Sequence, residues 1–425
     1  MIKIISLGLL SASVVLIYSD FAHAYSFTDN RSLFPIGESE AFMANTGVAL
    51  GGSTGAVYFN PAGLASLKKN HVSLSGDTYL SSKTSLMPVE TVDSTDLNLT
   101  ATGFQAVPSS IVSTWNLGSW VAAFSVLVPN QIKNQDVASY STPNYSTLQI
   151  ARTDSFQLLW AGFSAATQFS NSLDVGAGCF YSRYQTTQQL SWDATPTVAS
   201  GLTSALVIDS YFNATVDGFL CDVGMQMQYS SDFRVGFSAH LPFITMSSTG
   251  DAYSFFQSPQ SGAAIALGPK SVSAAYQIPL DTSLGLEYLI SEAWRIYFDI
   301  SYQFASNYQT GDLNASPTDE KAVARYNLGM SYKLNQSVQL LAGVAYNPSA
   351  INLNSSNAAE DFKVGTVGVN FINGISNVGV GLMYAESSGS SLNQVVDSSA
   401  HLLETRTGSI STQAFGIMIN SGFVF

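Results

Sequence analysis

Few residues in this chain have types and spacing suited to chemistry. Gly51-Gly52-Ser53-Thr54-Gly55 has the G-x-S-x-G spacing in which a serine on a sharp strand-to-helix turn serves as an acyl-transfer nucleophile. That role needs a core strand before the turn and an Asp and a His after it. No strand pattern precedes Gly51, and His71, His240 and His401 each lie in or beside an alternating segment. The motif therefore reads as a glycine-rich turn and the chain as no enzyme. No two His or Cys stand at metal-ligand spacing, and there is no phosphate loop or dinucleotide fingerprint, so neither metal nor cofactor is expected. Cys179 and Cys221 fall in neighbouring strand patterns around Gly201. Their preferred reading is two small apolar residues on a lipid face, with a cross-strand disulfide as the alternative. Arg295, Asp299, Arg325 and Lys333 lie on the polar side of adjacent strand patterns. Such charges either pair with one another to fill an interior or meet the carboxylate of an amphipathic substrate.

The elements that must position these residues are strands. Only 11% of the 425 residues are charged, 12% are aromatic, and mean hydropathy is +0.17. About a quarter charged is usual for a soluble domain. Yet beyond the first residues no apolar run reaches the roughly 18 residues of a membrane helix. Apolar side chains instead recur at every second position. Trp294, Ile296, Phe298, Ile300, Tyr302 and Phe304 share one side, with Arg295, Asp299, Ser301 and Gln303 on the other. Segments of this kind fall near 71–80, 109–115, 119–128, 154–168, 173–188, 206–229, 233–243, 283–290, 294–308, 321–334, 338–346, 362–372, 377–386 and 410–425. Tight turns such as 116–118, 170–172 and 230–232 alternate with long polar connections at 129–152, 189–205, 244–282, 309–320, 347–361 and 387–409. Short turns on one side and long loops on the other predict an all-β transmembrane antiparallel barrel of about 14 strands over 69–425, with both termini on the periplasmic side. The net charge of −13 argues against nucleic acid as a partner.

Two further stretches frame the barrel. Residues 1–24 have a basic start at Lys3, an apolar core and Ala22-His23-Ala24, which reads as an export signal cleaved after Ala24. Residues 37–67 are unlike the rest: a possible amphipathic helix over 38–49, the Gly-rich break at 51–55, and Asn60-Pro61-Ala62-Gly63 closing a short apolar piece. Asn60 and Pro61 also suit a side-chain-capped turn.

This segment, with Tyr58-Phe59-Asn60-Pro61-Ala62-Gly63-Leu64 placed soon after a signal peptide and ahead of a strand-rich chain, resembles the long-chain fatty acid and aromatic hydrocarbon transporters of the Gram-negative outer membrane. The resemblance implies that residues 25–68 form a plug, or hatch, inside a 14-stranded barrel, with Asn60, Pro61, Ala62 and Gly63 near the gate. It also implies passive uptake of a hydrophobic or amphipathic small molecule across the outer membrane. The partners implied are outer-membrane lipid and lipopolysaccharide, a hydrophobic ligand, and the assembly machinery that reads the C-terminal Phe425. A kink in the third strand, opening a lateral exit, belongs to the same pattern. Residues 120–128 contain no Gly or Pro and Pro129 falls only at their end, so no kink is expected here. A non-conducting barrel that presents its long loops to a partner is the alternative from another class.

Overall fold

The structure, a computed structural model, describes residues 34–107, 109–260, 262–273, 275–308, 318–353, 358–396 and 402–425. The export signal, residues 25–33 and His401 lie outside the described residues. The strands are β1 (His71–Val92), β2 (Thr95–Val107), β3 (Ser110–Asn116), β4 (Trp120–Tyr140), β5 (Tyr145–Ser170), β6 (Leu173–Pro196), β7 (Leu206–Gln228), β8 (Phe233–His240), β9 (Ile244–Gln257), β10 (Ala264–Val272), β11 (Asp281–Leu289), β12 (Trp294–Gln303), β13 (Ser306–Tyr308), β14 (Thr318–Glu320), β15 (Val323–Lys333), β16 (Val338–Asn347), β17 (Ala359–Asn373), β18 (Ser376–Val396) and β19 (Leu402–Val424).

Antiparallel pairing of successive strands closes a barrel of 14 staves. The closing seam joins β1 to β19 from His71–Val424 to Met87–Ser409. β2 and β3 share one stave, β9 continues β8 outward along β7, and β10 and the β13–β14 ribbon are additions to the outer end. Closure gives each stave two neighbours, with the β2–β4 contact interrupted between Thr102–Gln135 and Ser110–Leu127, and so shields the backbone from lipid, where an unpaired group has no water to bind.

Alternation sets the two faces. On β12 the outward Trp294, Ile296, Phe298 and Tyr302 are exposed, while the inward Tyr297, Asp299 and Gln303 are buried. Several segments expected as loops are strands. β4, β5, β6, β18 and β19 run well past the apolar band, and 244–272 is largely a β9–β10 hairpin. The reason lies in the solvent. Beyond the lipid an outward side chain meets water, so on β4 Gln131, Lys133 and Gln135 face out while Ile132 and Asn134 face in. The backbone ladder continues where the apolar-out pattern has ended. β2, absent from the expected segments, shows the inverse arrangement, with Leu97, Leu99 and Ala101 buried inward and Asp96, Asn98 and Thr100 outward.

These inward apolar residues close the outer end. Tyr145, Leu148, Ile150, Trp192, Leu206 and Ile208 form one buried cluster there, and Leu86, Leu99, Ala358 and Ile410 a smaller one. Deeper in the lumen comes the main cluster, shared by the barrel wall and residues 34–67.

Candidate functional site

Residues 34–67 form a compact inner body with little regular structure: a single turn at Glu40–Met43, a helical turn at Ala56–Phe59 and a turn at Pro61–Ser66. The helix expected over 38–49 is confined to Glu40–Met43 because Ala44 and Asn45 turn into the left-handed region, with φ of 52° and 61°. Asn60 caps the last turn: its Oδ1 accepts from Ala62 N at 3.2 Å, and Pro61 occupies the first position, where no N–H is needed. The same side chain faces the wall, since Nδ2 donates to Val48 O at 2.8 Å and to Met225 O of β7 at 3.0 Å.

The wall holds this body by its backbone. Asp299 accepts from Gly47 N at 2.7 Å and from Val48 N at 3.0 Å. Asn327 donates to Ala44 O, and Thr366 Oγ1 both accepts from Ala44 N and donates to Phe42 O, each of the latter at 2.8 Å. Gln226 donates to Val48 O and Leu50 O. Close approach is possible because the facing wall positions are glycines. A Cβ at Gly224 would strike Asn60, one at Gly176 would strike Pro61, and one at Gly343 would strike the Met43 backbone.

Glu40 sits fully buried in the inner body, wrapped by Gly37, Gly47 and Gly55. Burial pushes its carboxyl up to about 7, against the opposing pull of a Ser53 hydrogen bond. Ser53 thus lies beside the Glu40 carboxyl, and its Oγ accepts from Gly55 N at 3.3 Å.

Between this body and the wall lies a cavity of about 60 Å³. Tyr58, Phe59, Leu158, Trp160 and Ile278 give it an apolar side, and His240, Asp281, Asp299 and Arg325 a polar one. The Tyr58 ring lies 5.5 Å from both Trp160 and His240, and His240 Nε2 is 2.8 Å from Tyr58 O. From above, the descending 275–280 segment brings Ile278 to the cavity and stacks Tyr276 on Tyr184 at 4.0 Å.

Of the four charges singled out by sequence, two reach this cavity. Asp299 is committed to the inner body's backbone, and Arg325 pairs with Asp281. Arg295 pairs instead with Glu287, which also meets Arg234. Lys333 is exposed at the turn end of β15. No ion pair joins these four to one another among the described residues. Trp160, Ile278 and Asp281 carried no distinguishing signal in the sequence. An inward aromatic on a barrel strand looks like any core residue until the opposing body is placed.

Pro129 lies on the cavity's edge, and here the expectation of an unkinked third stave is corrected. β4 runs on to Tyr140, so Pro129 is internal, and the register with β5 slips between Leu127 and Asn130. On its other side β4 pairs with β3 up to Ser110–Leu127 and with β2 at Thr102–Gln135. Between those points, among the described residues, 103–107 and 128–134 form no ladder with each other. Proline supplies no N–H to a ladder, which explains the break. The gap is spanned by Gln105, whose Nε2 donates to Gln131 O at 3.3 Å, while Gln157 donates to Gln131 Oε1.

Cys179 and Cys221 are a second correction. Both face outward, as expected, but they are direct cross-strand partners in β6 and β7 and form a disulfide. Sequence distance gave no register, and register is what joins them.

Residues 32–425 match the model of the outer membrane protein transport protein family OMPP1/FadL/TodX. No curated protein matches the chain by sequence. Among solved structures, a FadL homologue from Pseudomonas aeruginosa is similar with a TM-score of 0.65 at 12% identity, over 92% of this chain and 98% of that one. The toluene transporter TodX from P. putida gives 0.65 at 16% identity, over 92% and 99%. The toluene transporter TbuX from Ralstonia pickettii gives 0.57 at 16%, over the same shares. At these identities the likeness shows the fold.

Proposed function

The chain belongs to the outer membrane transport protein family of OMPP1, FadL and TodX, and we propose that it carries small, neutral, apolar molecules, aromatic hydrocarbons above all, passively into the cell. The observation that carries this reading is the cavity wall of Tyr58, Trp160 and Phe59, set beside the Pro129 break, with its one arginine already paired to Asp281. A carboxylate would have to displace Asp281 from Arg325, whereas an aromatic ring meets ring faces at no cost in desolvated charge. The two solved toluene transporters named above support the same reading. Residues 34–67 act as the plug, with Asn60 and Pro61 at its seat on β6 and β7. The break between β2 and β4 is the side passage to the bilayer, with Gln105 across it. The leader is removed after Ala24, and exposed Phe425 is the assembly signal.

Uptake of labelled toluene and of a labelled long-chain fatty acid by cells carrying the wild-type chain or Trp160→Arg tests this. Toluene uptake above that of empty-vector cells, reduced by Trp160→Arg, is the expected result. Fatty acid taken up in preference, or toluene uptake equal with and without the protein, would overturn it.

A further inference from the structure

Outside the lumen, the lipid-facing wall carries a furrow that transport does not use. A hollow of about 670 Å³ lies over β15–β18, and a second of about 500 Å³ continues it outward. They join at Leu328, Val344, Gly365 and Tyr384, and either volume is within the roughly 300–1,000 Å³ of ligand-sized clefts. The floor is low because β17 presents Gly365 outward, with open space where a Cβ would stand. Walls of Leu328, Val344 and Tyr384 rise beside it.

Its direction follows from the strand. Along β17 the outward residues run from Phe371, near the short-turn end, through Val367 and Gly365 to Lys363 and Asp361. Lys363 pairs with Tyr346 and lies one outward position beyond the Gly365–Tyr384 pair, where aromatic side chains mark a membrane–water boundary. Two carboxylates lie beside it, each held by neutral donors. Asp361 is taken by Tyr346 Oη at 3.1 Å and Ser349 N at 2.9 Å, and Glu386 by Tyr384 Oη at 3.4 Å. Lys363 makes no ion pair among the described residues, although Glu386 is its cross-strand neighbour. An apolar furrow in the outer half of the bilayer, ending at a cation, has the polarity of an acylated, phosphorylated lipid: chain along Gly365, phosphate at Lys363. In the outer leaflet that lipid is the phosphorylated glycolipid of lipopolysaccharide.

We propose that the β15–β18 furrow is a specific site for one such glycolipid, with an acyl chain over Gly365 and a phosphate on Lys363. This does not depend on what the lumen carries. Protein purified in mild detergent and examined by native mass spectrometry, after incubation with lipid A or phosphatidylethanolamine, tests it. Wild type should retain one lipid A. Gly365→Leu, which fills the floor without a clash, and Lys363→Gln should each lower occupancy roughly tenfold, the value of one charged contact or one filled subsite. Heat-modifiable migration on gels shows whether each variant is a folded barrel. Lys83→Gln, an outward cation on β1, should retain lipid A as wild type does. Equal occupancy in wild type and both furrow variants, an equal loss in Lys83→Gln, or retention of phosphatidylethanolamine in place of lipid A would each overturn the proposal.

Discussion

The two ends of the lumen are closed by different physics. At the turn end, side chains of the wall bind the backbone of an irregular body: Asp299 to Gly47 and Val48, Thr366 to Ala44 and Phe42, Gln226 to Val48 and Leu50. At the outer end, regular strands extend past the bilayer and bury apolar residues such as Leu148, Trp192 and Ile208 against one another. A directional, hydrogen-bonded closure has one seated position and responds to single polar changes. An apolar closure resists them and yields gradually to lost volume.

The comparison breaks most sharply at Gly343. A Cβ there meets the Met43 backbone, which cannot turn aside as a side chain would, so Gly343→Leu should unseat the inner body while the barrel stays closed. The N-terminal segment of this variant should be cut by protease under conditions where the wild-type segment is protected. A Gly343→Leu barrel with a protease-resistant N-terminal segment would contradict the seating. Trp192→Ala removes a fully buried side chain from the outer cluster and should cost about 3–5 kcal/mol locally. Hydrogen exchange should rise in the outer parts of β5 and β6 and stay unchanged at Gly47 and Val48.

The inner body also carries a pH dependence. Glu40 is raised from 4.5 to about 7, so the folded state holds a proton that the unfolded chain releases between those values. Seating is therefore strongest below about 4.5 and weakens as pH rises through about 7, by on the order of 3 kcal/mol at full ionisation. Glu40→Gln should flatten that dependence, as read by protease protection of the segment at pH 5 and pH 8. The smallest effect is expected from Asn60→Ala. It removes the cap on Ala62 and two bonds to Val48 and Met225, about 1–3 kcal/mol in all, and should speed exchange at Ala62.

How much of this was legible follows the same division. Within the bilayer, apolar-out alternation on β12, β15 and β19 marks strands because lipid demands it. Past the bilayer that demand ends, so β2 and the outer parts of β4 and β18 read as polar loop although they pair as strands. Asn60-Pro61 could be recognised as a turn, and the bonds that seat it on β7 could not, because their partners stand more than 160 residues away. The Cys179–Cys221 bridge and the Arg325–Asp281 pair were hidden for the same reason: each depends on register. Pro129 was visible, but its effect turned on how far β4 continues beyond it.

Glu38 gives the inner body's attachment a temporal meaning. Its carboxylate meets His71 of β1 at 3.2 Å and Asn377 of β18 at 3.1 Å, and its backbone carbonyl accepts from Asn420 of β19. Part of the chain that emerges first is thus held by strands that emerge last, on both sides of the seam where the cylinder is joined. Until β18 and β19 arrive, the early segment has only half a socket, and a barrel sealed before its arrival would shut it out. Contacts of such long sequence separation form slowly. The inner body is then a keystone whose socket is complete only once the ring has closed.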